Sequence, residues 1–209
     1  MSHSLKAFGA ALFAILALSS VTGSAAQAVP EFTCSSYPCT ATGEGQGTFT
    51  IEHVSFVCDV HYLVGPAAAA SSTATVTTTF SNCVGGGFIG AEIHKKGCDH
   101  LLHGTELVSA GVYNHHLDIV CPAGSPGFVL TAATCEADIP AQTGLTTVKT
   151  TNLSGGTLTM QHNLSNITVK VTKDGFGCPF TGTGHKTGAY HGDAVLAHIG
   201  PGSISTSGS

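Results

Sequence analysis

The stretch CDHLLHGTELVSAGVYNHHLDIVC, residues 98–121, begins and ends on a cysteine, with apolar residues recurring between polar ones near both ends. Set as two antiparallel strands with Cys98 opposite Cys121, it places His100 opposite Ile119, Leu101 opposite Asp118, Leu102 opposite Leu117 and His103 opposite His116. Successive side chains of a strand point to opposite faces, so Cys98, His100 and Leu102 share one face with Leu117, Ile119 and Cys121. Asp99, Leu101 and His103 share the other with His116, Asp118 and Val120. The first face is mostly apolar and suits a core; the second collects the polar groups. His115 belongs to the apolar side and contradicts the simple pattern, unless it lies at the exposed end of its strand.

The same alternation extends in both directions. GTFTIEHV (47–54), SFVCDVHYLV (55–64), STATVTTTF (72–80), GFIGAEIHK (87–95) and GFVLTAATCEADI (127–139) are rich in β-branched and aromatic residues, and TGLTTVKTTN, GTLTMQHNL and NITVKVTK follow them. Turn clusters such as Val64-Gly65-Pro66, Gly85-Gly86-Gly87 and Pro122-Ala123-Gly124 separate the runs. Many short strands at this spacing mean an all-β antiparallel sandwich or barrel. The expectation is a single β-sandwich over residues 47–199, of immunoglobulin-like or Greek-key type and braced by disulfides. Residues 29–46 read as an N-terminal segment with a local disulfide loop, and the Gly/Ser-rich residues 200–209 as a disordered tail.

At the N-terminus, Lys6 precedes an apolar run from Ala7 to Leu18 and the small-residue series Ala26-Gln27-Ala28. This is the layout of a secretory signal peptide cleaved after Ala28, and the apolar run falls short of the roughly 20 residues that span a bilayer. The expected product is secreted and extracellular, with no transmembrane segment in the mature chain. Its eight cysteines, all downstream of Ala28, then read as disulfides rather than metal thiolates. Spacing and strand geometry favour Cys58 with Cys83, Cys98 with Cys121, Cys135 with Cys178, and Cys34 with Cys39 across a short proline-containing loop.

Charged residues make up only 9% of the chain, with no Arg and no Trp, which argues against a nucleic-acid partner. The formal net charge of −5 is accompanied by twelve histidines, so charge-dependent association is expected to change across the pH range where imidazole titrates. The polar face of the 98–121 hairpin concentrates the candidate chemistry. Directly opposed Cβ atoms on paired strands are about 4.5 to 5.5 Å apart, close enough for two imidazoles to share an ion. His103 and His116 are therefore the core candidates for a zinc or copper site. A tight turn at Lys96-Gly97 would bring His94 opposite Asp99, making His94 the third candidate ligand, with Asp99 or Asp118 completing or orienting the site. The plainer reading is a solvated sheet face that needs only to be polar. His53, His61, His162, His185, His191 and His198 are dispersed and read as surface residues.

The chain carries no G-x-S-x-G elbow, P-loop or H-E-x-x-H, so no catalytic residues are assigned. The leading expectation is a non-catalytic extracellular or cell-surface-associated protein that contacts another macromolecule or surface. A histidine-dependent zinc or copper binding protein is the alternative, and a secreted hydrolase the third.

VKVTKDGFGCPFTGTG (169–184), LDIVCPAG (117–124) and AQTGL (141–145) resemble segments of a group of uncharacterised secreted β-rich proteins of high-GC Gram-positive bacteria. The likeness runs from about Thr48 to Gly184 and implies an exported β-rich protein without supplying an activity. The CSSYPC loop and the high histidine content depart from that group's pattern.

Overall fold

The computed structural model describes residues 29–200 and 202–208; the expected signal peptide lies outside them. The strands are β1 (Glu31–Cys34), β2 (Ala41–Ile51), β3 (Val54–Pro66), β4 (Ala70–Ser71), β5 (Thr73–Gly85), β6 (Ile89–His94) and β7 (Asp99–Ser109), followed by β8 (Val112–Val120), β9 (Phe128–Ala132), β10 (Cys135–Ile139), β11 (Gln142–Asn152), β12 (Leu158–Asp174), β13 (Gly184–His198) and β14 (Ile204–Ser207). The protein is all-β and disulfide-braced, but the strands enclose a barrel instead of the expected sandwich.

The barrel becomes visible once interrupted strands are joined. β6 pairs with Cys83–Gly85 of β5 and β7 with Thr73–Val76 of β5, both on the edge away from β3, so they lie end to end. β10 and β11 lie in the same way along β12, and β8 with β9 fills the position between the two composite strands. Counted so, eight staves follow one another as a meander, and β13 closes the ring on β2 from Gly188↔Ile51 to His198↔Ala41. Closure pairs the two edges that an open sheet would leave with free N–H and C=O groups. A Greek key requires a long connection between non-sequential neighbours, and this ring contains none.

The three composite staves break at a common level, at residues 95–98, 121–127 and 140–141. Pro122, Pro126 and Pro140 lie in these breaks and cannot donate to a ladder. Side chains replace the missing backbone bonds: the Cys98–Cys121 disulfide joins two breaks, and Ser125 Oγ donates to the Lys96 carbonyl at 3.1 Å. Gln142 donates to the Pro140 and Thr168 carbonyls and accepts from the Thr168 N–H. Lys96 and Gly97 both have positive φ, as a tight turn requires, yet β7 continues in the direction of β6. The expected hairpin at this point does not form, because both strands take their partner from the same edge of β5.

An eight-stranded barrel has an interior just wide enough to be filled by side chains or to hold one small ligand. Here Leu158, Met160, Leu164, Val169 and Val171 of β12 point inward, while Gln161, Asn163, Thr168 and Lys170 point outward. A polar outside and an apolar inside is the reverse of the pattern of a membrane-spanning barrel. On β2 the inward positions Gly43, Gly45 and Gly47 are glycines, and a methyl on Gly47 would overlap the Tyr190 ring. That space lets the Tyr190 and Tyr62 hydroxyls meet at 2.7 Å inside the barrel. Gly47→Ala is accordingly expected to lower Tm by several degrees, following an overpacking cost of about 1–3 kcal/mol, as scanning calorimetry would measure. An unchanged midpoint would mean that the tyrosine pair has room to spare.

The two ends are closed differently. At one, Phe180 packs on Phe56 with ring centroids 5.7 Å apart. At the other, β14, β1 and β4 form a small antiparallel sheet that buries Phe32 and Ile204. Ile204–Ser207, within the segment read as a disordered tail, is thus part of the fold. Ile204 and Thr206 are buried on alternate positions of β14, and Thr206 Oγ1 lies 3.1 Å from Thr150 Oγ1. Residues 41–46 of the expected N-terminal segment likewise belong to barrel strand β2. The bridges join Cys34 to Cys39, Cys58 to Cys83, Cys98 to Cys121 and Cys135 to Cys178.

Candidate metal centre

β7 and β8 pair in the register set by Cys98 and Cys121, with His103 opposite His116 on the outer wall. Their rings stack at a centroid distance of 4.6 Å and an interplanar angle of 22°. Asp118 lies two residues further along β8 and so shares the outward face. One ligand atom from each of His103, His116 and Asp118 falls within 4.8 Å of the other two. All three residues are half-buried.

Asp118 is held at both ends. Its Oδ2 lies 3.1 Å from His103 Nε2, and its Oδ1 accepts the Gly144 N–H at 2.7 Å. Gly144 has a φ of +71° and lies where β11 shifts register between Gln142 and Leu145, so the irregular strand turns an N–H toward β8 instead of into the ladder. A backbone donor on the second oxygen orients the carboxylate while leaving the first toward the imidazoles, the arrangement by which outer groups commonly position metal ligands. Two imidazoles and one carboxylate form a donor set suited to zinc or copper, and three protein ligands leave a position open to solvent or to another molecule.

The other two candidate ligands lie elsewhere. His94 is opposite Val129 of β9, and its Nε2 is 3.0 Å from the exposed carboxylate of Glu92. Asp99 accepts from Thr77 Oγ1 at 2.8 Å and from Lys95 Nζ at 3.1 Å. It sits four positions from His103 on β7, about 13 Å along a strand. His94 is displaced because β6 and β7 lie end to end, whereas the expected site required them to be side by side; Asp99 is held away by its distance along β7 itself.

Three histidines lie inside the barrel. His115 keeps the inward alternation of β8: its Nε2 is 2.8 Å from Thr150 Oγ1, and its ring stacks on Phe32 at 4.9 Å. Burial pulls its pKa down to about 4, and His116 nearby adds to the effect. His100 stacks on Phe128 at 5.0 Å, and burial lowers it to about 4 as well. His162 is only 4% exposed and stacks on Tyr62 at 5.4 Å; burial takes it to about 3. Its assignment as a surface residue is thereby corrected. The signal was present in LTMQHNL, where Leu158, Met160, His162 and Leu164 occupy alternate positions, so the histidine is in phase with core residues.

Among the described residues no helix is long and apolar enough to cross a membrane. No family model, curated protein or solved structure matches the chain.

Proposed function

We propose that this is an exported, non-catalytic binding protein whose barrel presents a zinc or copper site on its outer wall, formed by His103, His116 and Asp118. The observation that carries the reading is the convergence of three donor atoms within 4.8 Å, one from each side chain, on paired strands of a rigid wall. The four disulfides suit an oxidising compartment, consistent with export. With a position left open on the ion, a side chain of an extracellular macromolecule could complete its coordination, which joins metal binding to surface attachment.

The test is calorimetric titration of zinc and of copper(II) into protein purified without a histidine tag. One equivalent is expected to bind with micromolar affinity or better. His103→Ala and His116→Ala should each weaken it by at least tenfold, while His94→Ala leaves it unchanged. Binding should also weaken on acidification, because imidazole ligates only as the neutral base. Absence of binding to the native protein, or equal binding by both alanine variants, rejects the proposal.

A further inference from the structure

Among the described phenylalanines, Phe32, Phe49, Phe56, Phe128 and Phe180 are buried and Phe80 is half-buried. Phe88 and Phe176 are 84% and 100% exposed. Both lie at the end of the barrel that Phe180 closes against Phe56. The ladder registers put them at one level. Ala91 of β6, Ala132 of β9, Cys135 of β10 and Asp174 of β12 form one continuous row, and Phe88 lies three residues and Phe176 two residues past it. Three strand spacings separate β6 from β12 in that row, so the two tips stand about 14 Å apart along the rim.

Neither tip is a loose loop. Thr134 Oγ1 donates to the Phe176 carbonyl at 2.8 Å, the Cys178 N–H donates to the Gly175 carbonyl at 3.0 Å, and the Cys135–Cys178 bridge ties the loop to β10. Gly175 packs so closely on Thr134 that a Cβ there would fall 2.8 Å from its side chain. At the other tip, the Phe88 N–H donates to the Gly85 carbonyl at 3.2 Å and the Gly86 N–H to the Ser55 carbonyl at 3.0 Å. Two aromatic rings are thus held in water by braced turns, at a hydration cost that the usual turn residues serine and asparagine would avoid. Val57 and Val84, opposed on β3 and β5, extend the exposed apolar surface down the wall from Phe88.

Spacing and charge indicate what covers the rings. A protein partner would need two separate pockets at this distance, whereas a fluid hydrocarbon layer receives both rings without shape complementarity. Lys186 is paired with Glu52 at 3.0 Å and Lys173 with Glu136 at 2.6 Å, and Asp174 adds a further negative charge at the rim. Lysines already engaged by carboxylates suit zwitterionic headgroups rather than an anionic surface, which draws on free cations. Phenylalanine is also among the side chains that segments lying on membranes bury at the boundary of headgroups and acyl chains.

We propose that this end of the barrel is a membrane-docking surface, at which Phe88 and Phe176 insert into the headgroup boundary of a zwitterionic bilayer while the barrel stays outside it. The polar outer wall stops deeper entry. The proposed metal site lies away from the inserted rim, since His103 pairs with Thr73 at the opposite end of β5 from Gly85.

The experiment is co-sedimentation of the full mature chain with phosphatidylcholine vesicles. Binding is expected to be half-maximal at roughly 0.1 mM accessible lipid or above, the range of a single acyl anchor. It should change less than twofold when sodium chloride is raised from about 0.05 M to about 0.5 M, because screening acts on charges and not on buried rings. Phe88→Ser and Phe176→Ser should each weaken binding at least fivefold, and the double variant should not bind. Both positions are exposed, so the melting temperature should stay as it is. The chain has no Trp, and Phe176→Trp therefore supplies a single reporter whose emission should move to the blue with vesicles and be quenched by lipids brominated in the acyl chain. His103→Ala should bind vesicles like the native chain, so this surface and the metal site fail or succeed separately. Absence of vesicle binding, binding undiminished in the double variant, or binding that requires phosphatidylglycerol and is lost at high salt would overturn the proposal. So would a dimer in vesicle-free ultracentrifugation that the double variant dissociates, since a second copy would then cover the rings.

Discussion

Acidification from pH 7 to pH 3 is expected to unfold the barrel, and the interior histidines supply the driving force. His100 and His115 are lowered from 6.5 to about 4, and His162 to about 3, in each case chiefly by burial. The unfolded chain therefore takes up protons near pH 6.5 that the folded chain refuses. Stability from these groups is fully present above the unfolded value and is lost as pH falls through the window from about 6.5 to between 3 and 4. One pKa unit corresponds to about 1.4 kcal/mol, so the combined loss is on the order of 10 kcal/mol, comparable with the whole stability of an ordinary domain.

Other groups change this little. Glu52, exposed, and Glu136, half-buried, are lowered first by hydrogen bonds from Lys186 and Lys173, in pairs that solvent screens. Asp138, raised by burial, acts in the opposite direction. Guanidinium melts between pH 7 and pH 3.5, followed by circular dichroism, would measure the effect. His162→Leu, if it folds, should flatten the dependence because the group that refuses its proton most strongly is gone. A denaturation midpoint constant over that range would contradict the assignment of these three histidines to a desolvated interior.

Reduction should be the second large perturbation. The Cys58–Cys83, Cys98–Cys121 and Cys135–Cys178 bridges span sequence separations of 25, 23 and 43 residues. Loops of this size restrict the unfolded chain by about 3 to 4 kcal/mol each in the chain-entropy description, so losing all three removes on the order of 10 kcal/mol. The short Cys34–Cys39 loop contributes least by the same reasoning. Cys98–Cys121 has a further role, because it crosses a level where the β-ladder is interrupted and few backbone bonds remain to hold adjoining staves. Protein fully reduced at neutral pH, with eight thiols verified by alkylation and mass spectrometry, should show no cooperative melt or one shifted far downward. An unaltered guanidinium midpoint after such reduction would show that the barrel is held without its bridges.

Much of the candidate metal site could be read from residues 98–121 alone. A cysteine at each end proposes the register, the period of two divides the faces, and His103, His116 and Asp118 then fall together. His94 could not be placed in this way. A turn with positive φ at Lys96-Gly97 is compatible either with reversal of the chain or with a bulge in a strand that continues. The choice depends on β5, which offers one edge long enough to take both β6 and β7. Ile204 and Thr206 were similarly obscured, since four residues in a Gly/Ser-rich segment become a strand only when β1 is alongside.

The sequence by itself determined the strand class, the alternation of each strand and a bridge pattern compatible with a meander, because these are local properties of side-chain period and loop length. Tertiary structure alone decided that the meander closes, that His100, His115 and His162 are enclosed, and that the turns bearing Phe88 and Phe176 share one end. Alternation tells which residues share a face, but not whether two distant edges meet. Pairing of β13 with β2 makes one face an interior, and the ladder registers determine which turns lie at the same rim.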